Sequence, residues 1–167
     1  MPGEKRTGYL GLGSNVGDSA GHLRAAVELL EAEGIEIDAI SSAYVTEPVG
    51  EVLDQPDFLN AAVRIRTELE PEDLLEVCKR VEAARGRSLD APRHSPRPLD
   101  VDLLLLGDLE LTTDRLTLPH PEVTTRRFVL VPLLELDPGL ALPDGTALAE
   151  ALDRLPEGQR VERATSL

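Results

Sequence analysis

Asp100 and Asp102 stand two residues apart in the run Arg93-His94-Ser95-Pro96-Arg97-Pro98-Leu99-Asp100-Val101-Asp102-Leu103-Leu104-Leu105-Leu106-Gly107. Successive side chains of a strand point to opposite faces, so the two carboxylates project side by side, roughly 7 Å apart at Cα. Leu99, Val101, Leu103 and Leu105 then share the other face. Adjacent carboxylates repel unless a cation lies between them. Magnesium suits the pair, because it takes one or two carboxylates and completes its octahedron with water and phosphate oxygens. Arg93 and Arg97, just upstream, offer planar donors to the same phosphates. The chemistry indicated is metal-assisted phosphoryl transfer from a nucleotide. The plainer alternative is a solvated strand face. Against it, the unbroken apolar run 103–106 predicts a central strand buried on both faces, where aspartates without a partner are costly.

Other residues carry weaker signals. Gly11-Leu12-Gly13-Ser14-Asn15-Val16-Gly17-Asp18 has the look of a phosphate loop but lacks the lysine of the P-loop and the dinucleotide fingerprint. A tight strand-to-helix turn accounts for it better. His120 lies between Pro119 and Pro121, which fix its direction toward a phosphate or leaving group; a simple loop histidine is the alternative. Phe58 and Asn60 fall opposite the Leu59/Ala61 stripe, and an aromatic face beside an amide suits a flat heterocycle. A second apolar face under helices explains the same pattern.

The elements that must position these residues follow from periodicity. Residues 9–13 predict a first strand ending in a Gly-Ser-Asn turn. Asp18 or Ser19 can cap a helix with Leu23, Ala26, Val27 and Leu30 on one stripe, stopped at Gly34. Residues 35–46 alternate as a second strand, 48–56 form a loop, and 58–67 a third strand with Leu59, Ala61, Val63 and Ile65 on one face. Pro71 opens a second helix striped by Leu74, Val77, Cys78, Val81 and Ala84, ended by Gly86. The loop 87–98, with Arg87, Arg93 and Arg97 among three prolines, is long enough to be a mobile lid. The aspartate strand follows, then a short hairpin near Gly107-Asp108. Residues 128–134 are apolar enough for helix or strand, and 147–155 predict a last helix. The order β-α-β-β-α-β is that of an α+β, ferredoxin-like core with an antiparallel sheet, two helices on one face and additions at the C-terminus.

Composition sets the outer bounds. At 167 residues the chain fits one domain, 1–167, with a real core. The net charge of −14 argues against a duplex nucleic-acid binder. Positive charge is nevertheless concentrated at Arg80, Arg85, Arg87, Arg93 and Arg97, and again at Arg126 and Arg127, which suits a small polyanion. No apolar run is long enough to span a bilayer, and the polar N-terminus lacks a signal core, so the expected compartment is the cytoplasm. The expected partners are small molecules, without membrane or nucleic acid, and the chain is taken as a monomer, a state that these features do not fix. Cys78 is alone and predicts a buried thiol.

Taken in order, Gly11-Leu12-Gly13-Ser14-Asn15, Thr46-Glu47-Pro48-Val49-Gly50, Asp54-Gln55-Pro56-Asp57-Phe58-Leu59-Asn60-Ala61-Ala62, Pro96-Arg97-Pro98-Leu99-Asp100-Val101-Asp102 and Pro119-His120-Pro121 through Arg126 and Phe128 resemble the hydroxymethyl-dihydropterin pyrophosphokinase family. The resemblance runs from about Tyr9 to Leu152. It implies a ferredoxin-like fold and transfer of the terminal pyrophosphoryl group of ATP to the hydroxymethyl oxygen of a reduced pterin, releasing AMP, in folate biosynthesis. It further implies that Asp100 and Asp102 hold two magnesium ions, that Phe58 and Phe128 sandwich the pterin, and that Asn60 reads its edge. Thr46 and Val49 would line the same pocket. Glu82, Arg87, Arg97, His120 and Arg126 would contact ATP, with Arg93 beside them; Arg87, Arg97, Asp100 and Asp102 form the catalytic set. The family's usual Arg-Trp-Gly-Pro-Arg reads Arg93-His94-Ser95-Pro96-Arg97 here, and a basic loop position common in relatives is Leu89. Three other readings stay open: a binding module without turnover, an acidic scaffold using a sheet edge, and a kinase releasing ADP.

Overall fold

The computed structural model describes residues 4–15, 17–46, 57–85, 98–156 and 161–167. The expected loop 48–56, the helix stop at Gly86 and all of the expected lid 87–98 except Pro98 lie outside the described residues.

The chain forms β1 (Arg6–Ser14), α1 (Ser19–Ala32), β2 (Glu36–Ile40), β3 (Ala43–Thr46), β4 (Phe58–Thr67), α2 (Pro71–Ala84) and β5 (Asp100–Leu106). It continues through β6 (Leu111–Thr112), β7 (Thr117–Leu118), α3 (Arg127–Leu136), α4 (Leu148–Arg154) and β8 (Val161–Thr165). Among the described residues the main sheet runs β5-β1-β4-β3-β8, with β2 also on β4, and every pairing is antiparallel. This is the expected β-α-β-β-α-β core, its second strand split in two.

Local chemistry explains the boundaries. The Asp18 carboxylate caps α1 by accepting the Gly21 N–H at 3.1 Å, and Gly34 leaves the helix at φ +89°, a conformation only glycine adopts freely. Pro71 takes the first turn of α2, with Glu72 and Asp73 favourably placed at its positive end. The strand expected over 35–46 breaks at Ser41-Ser42. There the Ser41 hydroxyl accepts the Ala62 N–H at 2.8 Å and donates to the Ser42 carbonyl at 2.7 Å, so a side chain replaces a ladder partner.

Apolar residues fill both faces of the sheet. Leu10, Leu12, Val63 and Ile65 meet Leu23 and Leu30 of α1 and Leu74 and Val77 of α2 on one face. Tyr9, Ala62 and Leu104 meet Leu130 and Leu133 of α3 and Leu148 of α4 on the other. Helices therefore cover both faces, not one alone. Residues 127–136 resolve as helix, since Leu130 and Leu133 are buried one turn apart, and Pro132 lies within it.

Three further expectations are corrected. β5 is an edge strand, not a central one; Leu103, Leu104, Leu105 and Leu106 are buried because helices cover both its faces. Leu105 leaves the Leu99/Val101/Leu103 stripe, because a bulge opposite Tyr9/Leu10 turns Leu104 and Leu105 together into the second core. The chain turns at Gly107-Asp108, but the hairpin that pairs is β6–β7. The short strand β8 had no expected counterpart.

Candidate active site

Antiparallel register lays the site out in rungs across the sheet. Tyr44 is opposite Asn60, Asn60 opposite Gly13, and Gly13 opposite Asp100. The next rung on the same face joins Ala62, Gly11 and Asp102, and Thr46 faces Phe58. Strand parity therefore brings Thr46, Phe58, Asn60 and both aspartates to one surface.

That surface is the floor of a cleft with an empty volume of about 630 Å³. Phe58, Phe128, Asn60, Thr46 and Arg126 line it, and Gly11 and Gly13 pave it. Gly13 is needed for space, whereas a Cβ on Gly11 would make only an ordinary contact. A Cβ on Gly13 would lie 2.6 Å from Asn60 Oδ1, and one on Gly11 would reach Leu104 Cδ1 at 3.4 Å. Asn60 is buried, and its Nδ2 donates to Thr46 Oγ1 at 2.6 Å, which fixes the amide. Phe128 comes from the first turn of α3, and the Arg126 guanidinium lies 5.5 Å from the centre of its ring. Arg126 also forms an ion pair with Glu122.

A second cleft, of about 840 Å³, opens along the outer edge of β5, between α2 and the β6–β7 hairpin. Lys79, Glu82, Arg115, Thr113 and His120 line it. His120 is held there by two bonds: its N–H donates to the Leu104 carbonyl at 2.9 Å, and its Nδ1 accepts the Glu122 N–H at 3.1 Å. The neutral imidazole must then carry its proton on Nε2. Glu82 is buried and accepts the Val101 N–H at 2.7 Å, between the two aspartates.

Asp100 and Asp102 line both clefts. Both are half-buried and on one strand face. Behind them on α2, the buried thiol of Cys78 is pushed up to about 12 by desolvation, then by the charges of Glu82 and Asp102. Among the described residues no cluster of three or more His, Cys, Asp or Glu could hold a metal ion. Magnesium does not require one, since it keeps waters and binds substrate phosphates beside one or two carboxylates. The aspartate pair fits that ion.

The family model for 7,8-dihydro-6-hydroxymethylpterin-pyrophosphokinase (HPPK) matches residues 9–138. The chain belongs to this family. A 2-amino-4-hydroxy-6-hydroxymethyldihydropteridine pyrophosphokinase of Methylorubrum extorquens is 50% identical over 157 residues, 92% of this chain and 98% of that protein. A folate synthesis bifunctional protein of Arabidopsis thaliana is 44% identical over 127 residues, 76% of this chain but 26% of its own length. Among solved structures, an HPPK-DHPS in complex with substrates superposes with a TM-score of 0.70 at 12% identity, over 90% of this chain and 43% of that one. At that identity the likeness is one of fold.

Of the HPPK residues expected from sequence, the structure brings Thr46, Phe58, Asn60, Phe128 and Arg126 into the first cleft with the aspartates, and Glu82 and His120 into the second. Arg126, expected with the nucleotide, stands beside Phe128 instead of His120. Val49, Arg87, Arg93 and Arg97 lie outside the described residues. Sequence reasoning read Gly11 and Gly13 as a strand-to-helix turn and a family motif, not as site residues, because their place on the aspartate face depends on register with β4 and β5. It missed Lys79, Thr113 and Arg115, for which no spacing offered a signal.

Among the described residues no helix is long and apolar enough to cross a membrane.

Proposed function

We propose that this HPPK-family chain transfers a diphosphate from ATP to the hydroxymethyl oxygen of 6-hydroxymethyl-7,8-dihydropterin, releasing AMP, in folate biosynthesis. The observation that carries the reading is that Asp100 and Asp102 border two clefts of different character, one lined by two aromatic rings and a fixed amide and one open and polar. A reaction between a heterocycle and a nucleotide needs its metal site at that boundary.

The pterin ring lies between Phe58 and Phe128, and the fixed Asn60 amide pairs with its donor–acceptor edge. Thr46 keeps that amide from rotating. Val49 is assigned to pterin binding by its place in the motif alone. ATP occupies the second cleft, where Nε2–H of His120 donates to a phosphate oxygen and Lys79 and Arg115 supply positive charge. Arg126 reaches the phosphate oxygens from the ring side. Arg87, Arg93 and Arg97 provide the remaining guanidinium groups. Glu82 holds the backbone between the aspartates and so orients both carboxylates. Asp100 and Asp102 would hold two magnesium ions, which when bound would neutralise the triphosphate charge and orient its oxygens.

The hydroxymethyl oxygen attacks the β-phosphorus in line, the bond to the α–β bridging oxygen breaks, and AMP leaves with that oxygen. The hydroxyl proton departs to solvent. Alignment and charge neutralisation carry most of such a reaction, and no covalent intermediate on the protein is required. The chain acts as one unit over 1–167, as a cytoplasmic monomer.

The test is turnover with MgATP and the reduced hydroxymethyl pterin, resolving AMP from ADP by chromatography. One AMP per diphosphorylated pterin is expected. Formation of ADP, or binding of both ligands without turnover, overturns the reading.

A further inference from the structure

The C-terminal end of α3 is tied to the sheet by a set of polar contacts that touch neither cleft. Glu135 Oε2 accepts the Ser42 N–H at 2.8 Å and the Ser42 hydroxyl at 3.3 Å, and its Oε1 accepts the Tyr44 hydroxyl at 2.5 Å. Ser42 and Tyr44 are buried, although the Glu135 stem is exposed. One residue on, Arg64 donates to the Leu136 carbonyl at 3.3 Å, and the Tyr9 hydroxyl donates to Asp137 at 3.2 Å. Burial acts to raise the Glu135 carboxyl, but the bonds from Tyr44 and Ser42 and the charge of Arg163 on β8 hold it below its ordinary value. It is a carboxylate at neutral pH.

This clasp is coupled to the ring cleft by geometry at both ends. Phe128 and Glu135 are two helical turns apart, about 10.5 Å along α3, and so lie on one side of it. On the strand, Tyr44 and Thr46 share a face, and Tyr44 occupies the same rung as Asn60. The β2–β3 break lies at Ser41-Ser42, and Glu135 of α3 bonds to Ser42 at that break and to Tyr44 within β3. We infer that Glu135 is a positioning residue of the ring cleft: by joining the end of α3 to the start of β3, it sets Phe128 against Thr46 and Asn60 and so sets the affinity for the pterin.

The inference rests on the proposed function for the identity of the ring. Glu135 lines neither cleft and its contacts run to the strand that carries Thr46, so its removal is expected to act on the pterin side. The readouts are the pterin dissociation constant, measured with magnesium and a non-hydrolysable α,β-methylene ATP, and the kcat and KM for ATP. Glu135→Ala is expected to weaken pterin binding roughly tenfold or more, as small displacements of a positioning wall do, with kcat and the KM for ATP within about twofold. Glu135→Gln, which keeps one acceptor, restores part of the affinity. A purely structural role lowers the unfolding midpoint and leaves the pterin constant unchanged, and that result overturns the inference; so does equal weakening of both ligands. If Glu135→Ala does not fold, Tyr44→Phe carries the test, because it keeps the ring and removes one donor. Pterin binding weakened about threefold supports the clasp, and unchanged binding overturns it. AMP formation by the unaltered protein judges the proposed function separately, so the two ideas fail on different measurements.

Discussion

The two clefts share a pair of aspartates and almost nothing else. The floor of the ring cleft is laid by β3, β4, β1 and β5 in register, and its remaining wall by Arg126, Phe128 and Val129 at the start of α3. The second cleft has one such wall, the edge strand β5; the rest comes from α2, the β6–β7 hairpin and the turn at His120. A flat heterocycle is recognised by shape and a few fixed polar groups, which demands walls that cannot shift. A triphosphate is recognised by charge, which tolerates long, movable side chains such as Lys79 and Arg115. The difference predicts that substitutions in the first cleft act through sterics and those in the second through charge.

The boundary carries the largest expected effect. Asp100→Asn or Asp102→Asn should lower kcat by about three orders of magnitude, because several kcal/mol of charge stabilisation are lost. Folding should survive, and unfolding in chelator should move to equal or higher temperature as carboxylate repulsion is relieved. A variant with near-normal turnover would separate that aspartate from the metal site. Steady-state kinetics and a thermal melt give both answers.

The steric half of the comparison is sharpened at Gly13. A methyl there meets Asn60 Oδ1 at 2.6 Å, and Asn60 is held by Thr46, so the amide must turn or the strands must part. Gly13→Ala should raise the KM for the pterin by roughly tenfold or more and leave that for ATP unchanged. An equal rise in both would mean that the two clefts are not mechanically separate.

Glu82 tests the other side. Its carboxylate is buried on the Val101 N–H, so Glu82→Ala orphans a buried donor and should cost about 1–3 kcal/mol in urea unfolding. Because that N–H lies between the aspartates, the KM for MgATP should rise while pterin binding holds. Loss of stability with both constants unchanged would reduce Glu82 to a structural bond.

The sequence disclosed the chemistry more readily than its setting. The Asp100/Asp102 pair and the Phe58/Asn60 face were legible because parity within a strand is a local property. Partners across a sheet are not. Nothing in 99–106 reveals that β5 lies at an edge, since helices on both faces make an edge strand as apolar as a central one. The bulge that turns Leu105 into the second core depends on register with Tyr9 and Leu10. The break at Ser41-Ser42 was hidden by alternation that continues through it. Arg115 and Lys79 enter the second cleft only because the hairpin folds back against α2, with Arg115 pairing to Glu76 and Glu72.

The smallest effect concerns the clasp behind the ring cleft. Burial, followed by the bond to Glu135, pushes the Tyr44 hydroxyl up to about 12 from its ordinary value of 10.0. A pKa raised on folding contributes stability that is complete below the unfolded value and is lost as pH climbs through the folded one. Stability from Tyr44 should therefore be full to about pH 10 and fade toward pH 12. Tyr9 and Cys78 are also raised, so the total slope in this range is shared among three groups. The difference between the unaltered protein and Tyr44→Phe isolates one of them. In urea unfolding that difference should be constant up to pH 10 and shrink above it. A difference independent of pH would mean that the hydroxyl is not engaged by Glu135, and that the wall carrying Thr46 is held by packing alone.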